Sequence, residues 1–240
     1  MKTIDFSVIL PVRNNIAGLK VALGAFQLFT AQPDKFEIHL LVDADDPDAN
    51  KYIKLISEYR LQIFINIVQP TDNFSDGYYN HALQFCRGTN IMAWNDDCYM
   101  QTNDWDNIVR EKIEQKAKYK GIYFVDLWDS TRCHMGSKIE FARFPMISRK
   151  AVDICGFFFF PTVRNWPADK VIWDLYAMIK RIIPCHEVKI QHDHNFDHEG
   201  DPSKSRFMRI LKEDKANRVF PVDASLPVTK LKEAMANEGL

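Results

Sequence analysis

The chain has 240 residues, 46% of them hydrophobic and 26% charged, with a formal net charge of -1. That length buries a substantial core without requiring a second domain, and so small a charge argues against the broad basic field that holds nucleic-acid phosphates. The five cysteines, Cys86, Cys98, Cys133, Cys155 and Cys185, are odd in number and contain no C-x-x-C pair, which argues against a disulfide framework.

The opening MKTIDFSVILPV has an apolar run interrupted by Pro11, too short for a signal sequence or a membrane span. The expectation is a soluble, cytoplasmic protein. Short β-branched and aromatic runs follow at FSVILPV (6 to 12), FEIHLLVD (36 to 43), LQIFINIV (61 to 68), NIMAW (90 to 94) and GIYFVDL (121 to 127). Each has the length and apolar continuity of a strand buried on both faces. Between them NIAGLKVALGAFQLF, DANKYIKLISEYR, DGYYNHALQFCR and DWDNIVREKIEQKAKYK read as helices.

This alternation predicts βαβ units, hence an α/β domain with a mostly parallel central sheet flanked by helices. Ligands of such sheets gather at the carboxyl ends of the strands. Polar residues collect there: Arg13 and Asn14, then Asp43, Asp45 and Asp46, then Thr71 to Asn73, then Asn95 to Asp97. Beyond residue 128 the alternation fades. KIEFARFPMIS reads as a strand pairing antiparallel, SRKAVDIC as a short helix, WPADKVIWDLYAMIKRI as a clearer helix with Pro167 in its first turn, IPCHEVKIQ as a strand and SRFMRILKEDKANR as a final charged helix.

Neither G-x-G-x-x-G nor G-x-x-x-x-G-K-[ST] is present, so a glycine-rich loop does not cradle a phosphate here. A divalent cation held by carboxylates is the other way to compensate a diphosphate. WNDD at a strand end suits that task, although Asn and Asp also form plain turns. HDHNFDHE places His192, His194 and His198 within seven residues; alternate residues of an extended chain point the same way, so His192 and His194 can converge on one site. Metal binding and solvated loop histidines are both open readings of that cluster. Asp43, like Asp46 and Asp48, also suits capping of the helix that follows. FFFFP (157 to 161) reads as core or interface, Trp166 and Trp173 as packing on one helix face, and Lys204, Arg206 and Arg209 as a solvated helix face.

In this order the features resemble the family 2 glycosyltransferases. FSVILPVRNN is similar to that family's opening strand and turn, LLVDADDPD to its second, aspartate-ended strand, and NFSDGYYNHALQFCRGTNIMAWNDD to the segment that ends in a D-x-D-like metal motif. WPADKVIWDL resembles the segment that presents the catalytic carboxylate, and IQHDHNF the late turn that supplies a metal-binding histidine. Three positions depart from the family pattern: Ala44, Asn95 and Ala168 each stand where an acidic residue is usual.

The resemblance implies a single GT-A-like domain over about residues 1 to 220, the first hundred binding a nucleotide sugar and the remainder the acceptor, with residues 221 to 240 as an extension. It implies an inverting transfer from a UDP- or GDP-sugar to a hydroxyl of a glycan or other acceptor. Donor contacts would come from Pro11, Arg13, Asn14, Asp43, Asp45, Asn73 and Asp96; Mn²⁺ or Mg²⁺ would be held by Asp97 with His192 or His194; Asp169 would be the general base. The rival expectations are a metal-dependent hydrolase built on the histidine cluster and an inactive glycosyltransferase-like binding module.

Overall fold

The computed structural model describes residues 3–130, 141–165, 167–193, 209–210, 212–213 and 222–239. Its strands are β1 (Phe6–Val12), β2 (Phe36–Asp43), β3 (Gln62–Val68), β4 (Asn90–Ala93), β5 (Cys98–Met100), β6 (Phe124–Asp129), β7 (Met146–Ser148) and β8 (Ile182–His192). They form one sheet in the order β3-β2-β1-β4-β7-β6-β8-β5. β1, β2, β3 and β4 pair in parallel, as do β6 and β8; β7 runs antiparallel to β4 and β6, and β5 antiparallel to β8.

The central strands are apolar on both faces because helices cover both. Phe6, Val8 and Leu10 of β1 meet α1 (Ile16–Phe29), α2 (Ala49–Ile56) and α3 (Trp105–Glu114) in one core. Ile9 belongs to a second core with α4 (Arg149–Cys155), α5 (Ala168–Met178) and α6 (Ser225–Asn237). In the first core Phe26 touches Trp94 at 4.8 Å and Phe36 at 5.1 Å between ring centroids. Phe158, Phe159 and Phe160 are buried in the second. The final stretch after residue 221 is α6, docked through Val228 and Leu231.

Two elements differ from the sequence reading. DGYYNHALQFCR is a π-helical turn at Ser75–Asn80 with a short helical continuation rather than a regular helix. β5 has no counterpart among the sequence-predicted strands, because three residues carry no periodicity; it exists through its non-local pairing with β8.

At the amino end of the sheet, fully buried Glu37 accepts hydrogen bonds from Ser7 Oγ (2.6 Å) and from the Arg87 backbone N–H, Nε and Nη2 (2.7, 2.8 and 2.6 Å), and His39 Nε2 lies 3.2 Å away. Burial alone would push the Glu37 pKa up; the hydrogen bonds from His39, Ser7 and Arg87 outweigh it and bring the value from 4.5 down to about 2. A depressed native pKa contributes stability that is present above the unfolded value and lost as pH falls through the native one. Unfolding free energy should therefore fall between about pH 4.5 and pH 2, and Glu37→Gln should flatten that limb in urea titrations at stepped pH.

Candidate active site

Strand order reverses between β1 and β4: β2 and β3 lie on one side of β1, and β4 on the other. A crevice at the carboxyl ends of those two strands is where an open α/β sheet offers a ligand site. Pro11 sits just before that end, beyond the last β1–β4 pair, Ile9↔Ala93, so its missing N–H deprives β4 of nothing. Arg13 Nη1 reaches Asp43 Oδ2 at 2.7 Å and Asp45 Oδ1 at 2.5 Å. Tyr78 Oη donates to the other oxygen of Asp43 at 2.5 Å.

Asn14 takes a positive φ of 49°, a conformation Asn tolerates better than most residues, and its N–H donates to Asp46 Oδ2 at 3.1 Å. Asp46 also accepts from Tyr52 Oη and from the Asp48 N–H. The structural carboxylate before α2 is thus Asp46, while Asp43 belongs to the rim with Arg13 and Tyr78. Asn15 caps α1, its Oδ1 accepting from the Gly18 N–H at 2.9 Å.

The loop after β4 packs against that same helix start. A Cβ on Gly18 would lie 2.3 Å from the Asp96 carbonyl oxygen and 2.5 Å from Asn15 Nδ2. Gly18→Ala should therefore destabilise the fold by about 1–3 kcal/mol through overpacking, despite the roughly 1 kcal/mol that Ala gains over Gly in helix propensity; urea denaturation measures the balance.

Asp97 is brought to His192 by the β5–β8 ladder, in which Cys98 pairs with His192. His192 Nε2 lies 2.9 Å from Asp97 Oδ2, and the Asp193 N–H donates to the Asp97 carbonyl at 2.9 Å. Burial would raise the Asp97 pKa, but the hydrogen bond and charge of His192 outweigh it and hold the carboxyl below its usual range. The adjacent Asp96 is pushed well above its usual range, first by burial and then by the charge of Asp97. Two neighbouring carboxyls are thereby set apart in protonation.

Asp97, Cys98 and His192 place one donor atom each within 4.8 Å of one another. A carboxylate suits Mn²⁺ or Mg²⁺, and an imidazole suits first-row divalent metals such as iron and zinc. Cys98 Sγ donates to Asp97 Oδ1 at 3.1 Å, and burial pushes its thiol pKa well up, so it serves as a hydrogen-bond donor behind Asp97. The donor set fits a divalent cation held by Asp97 and His192.

The π-helical turn joins the rim from the other side. While Tyr78 reaches Asp43, its neighbour Tyr79 donates to the Trp94 carbonyl at 3.1 Å and to Asn95 Oδ1 at 3.2 Å. Burial and then the charges of Cys98, Asp96, Asp97 and Asp169 raise the Tyr79 pKa, so Asp169, at the amino end of α5, lies within electrostatic reach of the tyrosine that touches WNDD. Asp169 Oδ1 accepts from the Lys170 N–H at 2.8 Å. Its carboxyl is pushed up to about 6, chiefly by burial, with Asp129 adding and Arg143 opposing.

Of the residues singled out from sequence, Arg13, Asp43 and Asp45 share one network with Pro11 at its edge, while Asn14 turns its N–H to Asp46. Asp96 borders it, its backbone carbonyl accepting from Asn15 Nδ2 at 3.5 Å. Asn73 is at the rim too, but its Nδ2 donates to the Pro161 carbonyl at 2.8 Å and its Oδ1 accepts from the Asp76 N–H, so its side chain ties the loop before α5 to the π-helical turn. His194, His198, Trp166, Lys204 and Arg206 lie outside the described residues. Arg209 pairs with Asp72 and Glu213. Tyr78, Tyr79, Asp129 and Arg143 escaped sequence reasoning; Asp129 ends a strand in WDS, the same signal that marked Asp43 and Asp97.

No family model and no curated protein sequence matches the chain. Solved structures do. A fragment of S. aureus TarS spanning residues 1–349 superposes with a TM-score of 0.63 at 11% identity, over 95% of this chain and 69% of that one; the same fragment has also been solved with UDP and with UDP-GlcNAc. The mannosyltransferase PcManGT from Pyrobaculum calidifontis, in complex with GDP-Man and Mn²⁺, superposes with a TM-score of 0.67 at 14% identity, over 98% of this chain and 70% of that one. The fold is therefore a single GT-A-like α/β domain with a mostly parallel sheet and a small antiparallel portion. Among the described residues no helix is long and apolar enough to cross a membrane.

Proposed function

We propose that this chain is a family 2 type glycosyltransferase that moves a sugar from a UDP- or GDP-sugar to an acceptor hydroxyl with inversion at the anomeric carbon. The observation that carries this reading is the Asp97–His192 pair at the strand-order reversal of a GT-A-like sheet, with Asp169 within electrostatic reach of Tyr79, which touches the same loop. Arg13, Asn14, Asp43, Asp45 and Asp96 bound the donor side, in the first hundred residues, with Asn73 holding the wall. The second half supplies Asp169 and the acceptor side.

In this chemistry the acceptor oxygen forms a bond to the anomeric carbon as the bond from that carbon to the diphosphate oxygen breaks, and Asp169 takes the hydroxyl proton. Asp97 and His192 would hold Mn²⁺ or Mg²⁺, which when bound neutralises charge on the diphosphate. Asp97 is suited to this because it is held ionised; Asp169 is suited to its task because a carboxyl lifted to about 6 remains ionised at neutral pH while being a stronger base than an ordinary carboxylate.

The test is a screen of UDP- and GDP-sugars by thermal shift with and without Mn²⁺, followed by incubation of the stabilising donor with hydroxyl acceptors. Release of the nucleoside diphosphate together with a product of inverted anomeric configuration supports the proposal. Hydrolysis of a substrate that contains no nucleotide, or donor binding with no turnover, overturns it.

A further inference from the structure

β3 ends the sheet, and its outer edge is built without the usual protections. Its sequence is QIFINIV: seven residues with no charge, no proline and no glycine, where exposed edges ordinarily carry lysine, proline or a bulge. Val68 turns its carbonyl toward β2, accepting from the Ala44 N–H at 2.8 Å. Backbone groups alternate sides along a strand, so the N–H and C=O of Ile63, Ile65 and Ile67 face outward. Among the described residues these six groups have no protein partner. Two large apolar side chains on the same strand also keep exposed surface: Ile67 is 58% exposed, and Phe64, stacked on His39 and lying under Arg87, is 41% exposed.

We infer that the β3 edge is a dimerisation surface for a second copy of this chain, pairing antiparallel about a two-fold axis at Ile65. The parity of the strand selects this arrangement. With Ile65 opposite Ile65, Ile63 falls opposite Ile67 of the other copy, and each of these is an outward-facing residue. Every such pair exchanges two hydrogen bonds, so all the outward groups of both copies are satisfied at once.

The side chains follow the same match. Ile67 comes to lie beside Ile63 of the other copy on the face that α2 covers, and Phe64 beside Asn66 on the opposite face. A self-pairing strand sets its own charges against their copies, which is unfavourable; β3 has none to set. A seven-residue strand spans about 24 Å, and an edge of that length gives an interface at the small end of the specific range, below about 1,200 Å² in total. The dimer is accordingly concentration-dependent, and the crevice, at the carboxyl ends of β1 and β4, stays open in it.

Sedimentation velocity of the full chain, from low to high micromolar concentration, should show a monomer passing to a dimer. Ile67→Lys adds a charge at an exposed position and should weaken the association at least about tenfold, since edge lysines act in this way. The register is read by cross-linking in a Cys133→Ser background with oxidised glutathione. Ile65→Cys should give a disulfide dimer, because opposed hydrogen-bonded positions have Cα atoms about 5.5 Å apart, within disulfide reach. Ile63→Cys should not link to itself, being about 14 Å from its copy along the paired strands. A chain that stays monomeric throughout, association unaffected by Ile67→Lys, or equal cross-linking at positions 63 and 65 would each overturn the inference, and the first would leave the edge to a different partner or to none.

Discussion

Asp169→Asn should lower sugar transfer by at least about 10²-fold, the scale on which removal of a general base is felt. Asn keeps the size of the side chain and an oxygen for the Lys170 N–H, but it cannot accept the acceptor's proton. Donor affinity should hardly change, because the loss is confined to the chemical step. The stability response has a definite sign. A carboxyl whose native pKa is raised to about 6 favours the native state at low pH and loses that contribution as pH rises through the native value. Above that pH the ionised, buried Asp169 weighs against folding, so Asp169→Asn should melt at the same temperature as the parent chain or higher. In the parent, the acid limb of kcat should have its midpoint near pH 6, where the base becomes ionised. Near-normal turnover by Asp169→Asn would place the base elsewhere, with Asp129 the next carboxylate to test, since its charge already acts on Asp169.

Nucleotide binding should tighten when Mn²⁺ is added and fall back when the ion is chelated, and by linkage Mn²⁺ affinity should rise equally when UDP or GDP is present. Asp97→Ala should remove most of that gain, and His192→Ala a large part of it, whereas Cys98→Ser should retain it because the thiol stands behind Asp97 as a donor. Couplings of this kind are typically worth about 1–3 kcal/mol, or roughly 5- to 150-fold in Kd, well within reach of calorimetry. Equal affinity in Mn²⁺ and in chelator would refute the shared site.

Much of the architecture was legible in the chain because the signals were local. The runs at 6 to 12 and 36 to 43 coincide with β1 and β2, whose residues are almost all buried; an uninterrupted apolar run has that meaning when helices cover both faces. Among the polar residues at strand ends, Arg13, Asp43 and Asp45 come together in the fold. Pro167 and Asp169 marked the start of α5, which runs from Ala168.

Pairing across long separations was a different matter. Nothing near CYM announces β5, and only the β8 ladder makes it a strand and carries Asp97 to His192, ninety-five positions away. The π-helical turn that sends Tyr78 to Asp43 and Tyr79 to Asn95 is equally silent in sequence, because its partners are the last residue of β2 and the loop after β4. The separation of roles between Asp43, held by Arg13 and Tyr78, and Asp46, which supports the turn into α2, also follows from geometry alone: both are aspartates after the same strand. The sequence by itself determined the longer strands and helices and which residue types stand at their ends, since hydrophobic period and turn chemistry are properties of neighbours along the chain. Tertiary structure decided which of those residues meet and which carboxyls are ionised, since contact, burial and charge depend on what the fold brings alongside.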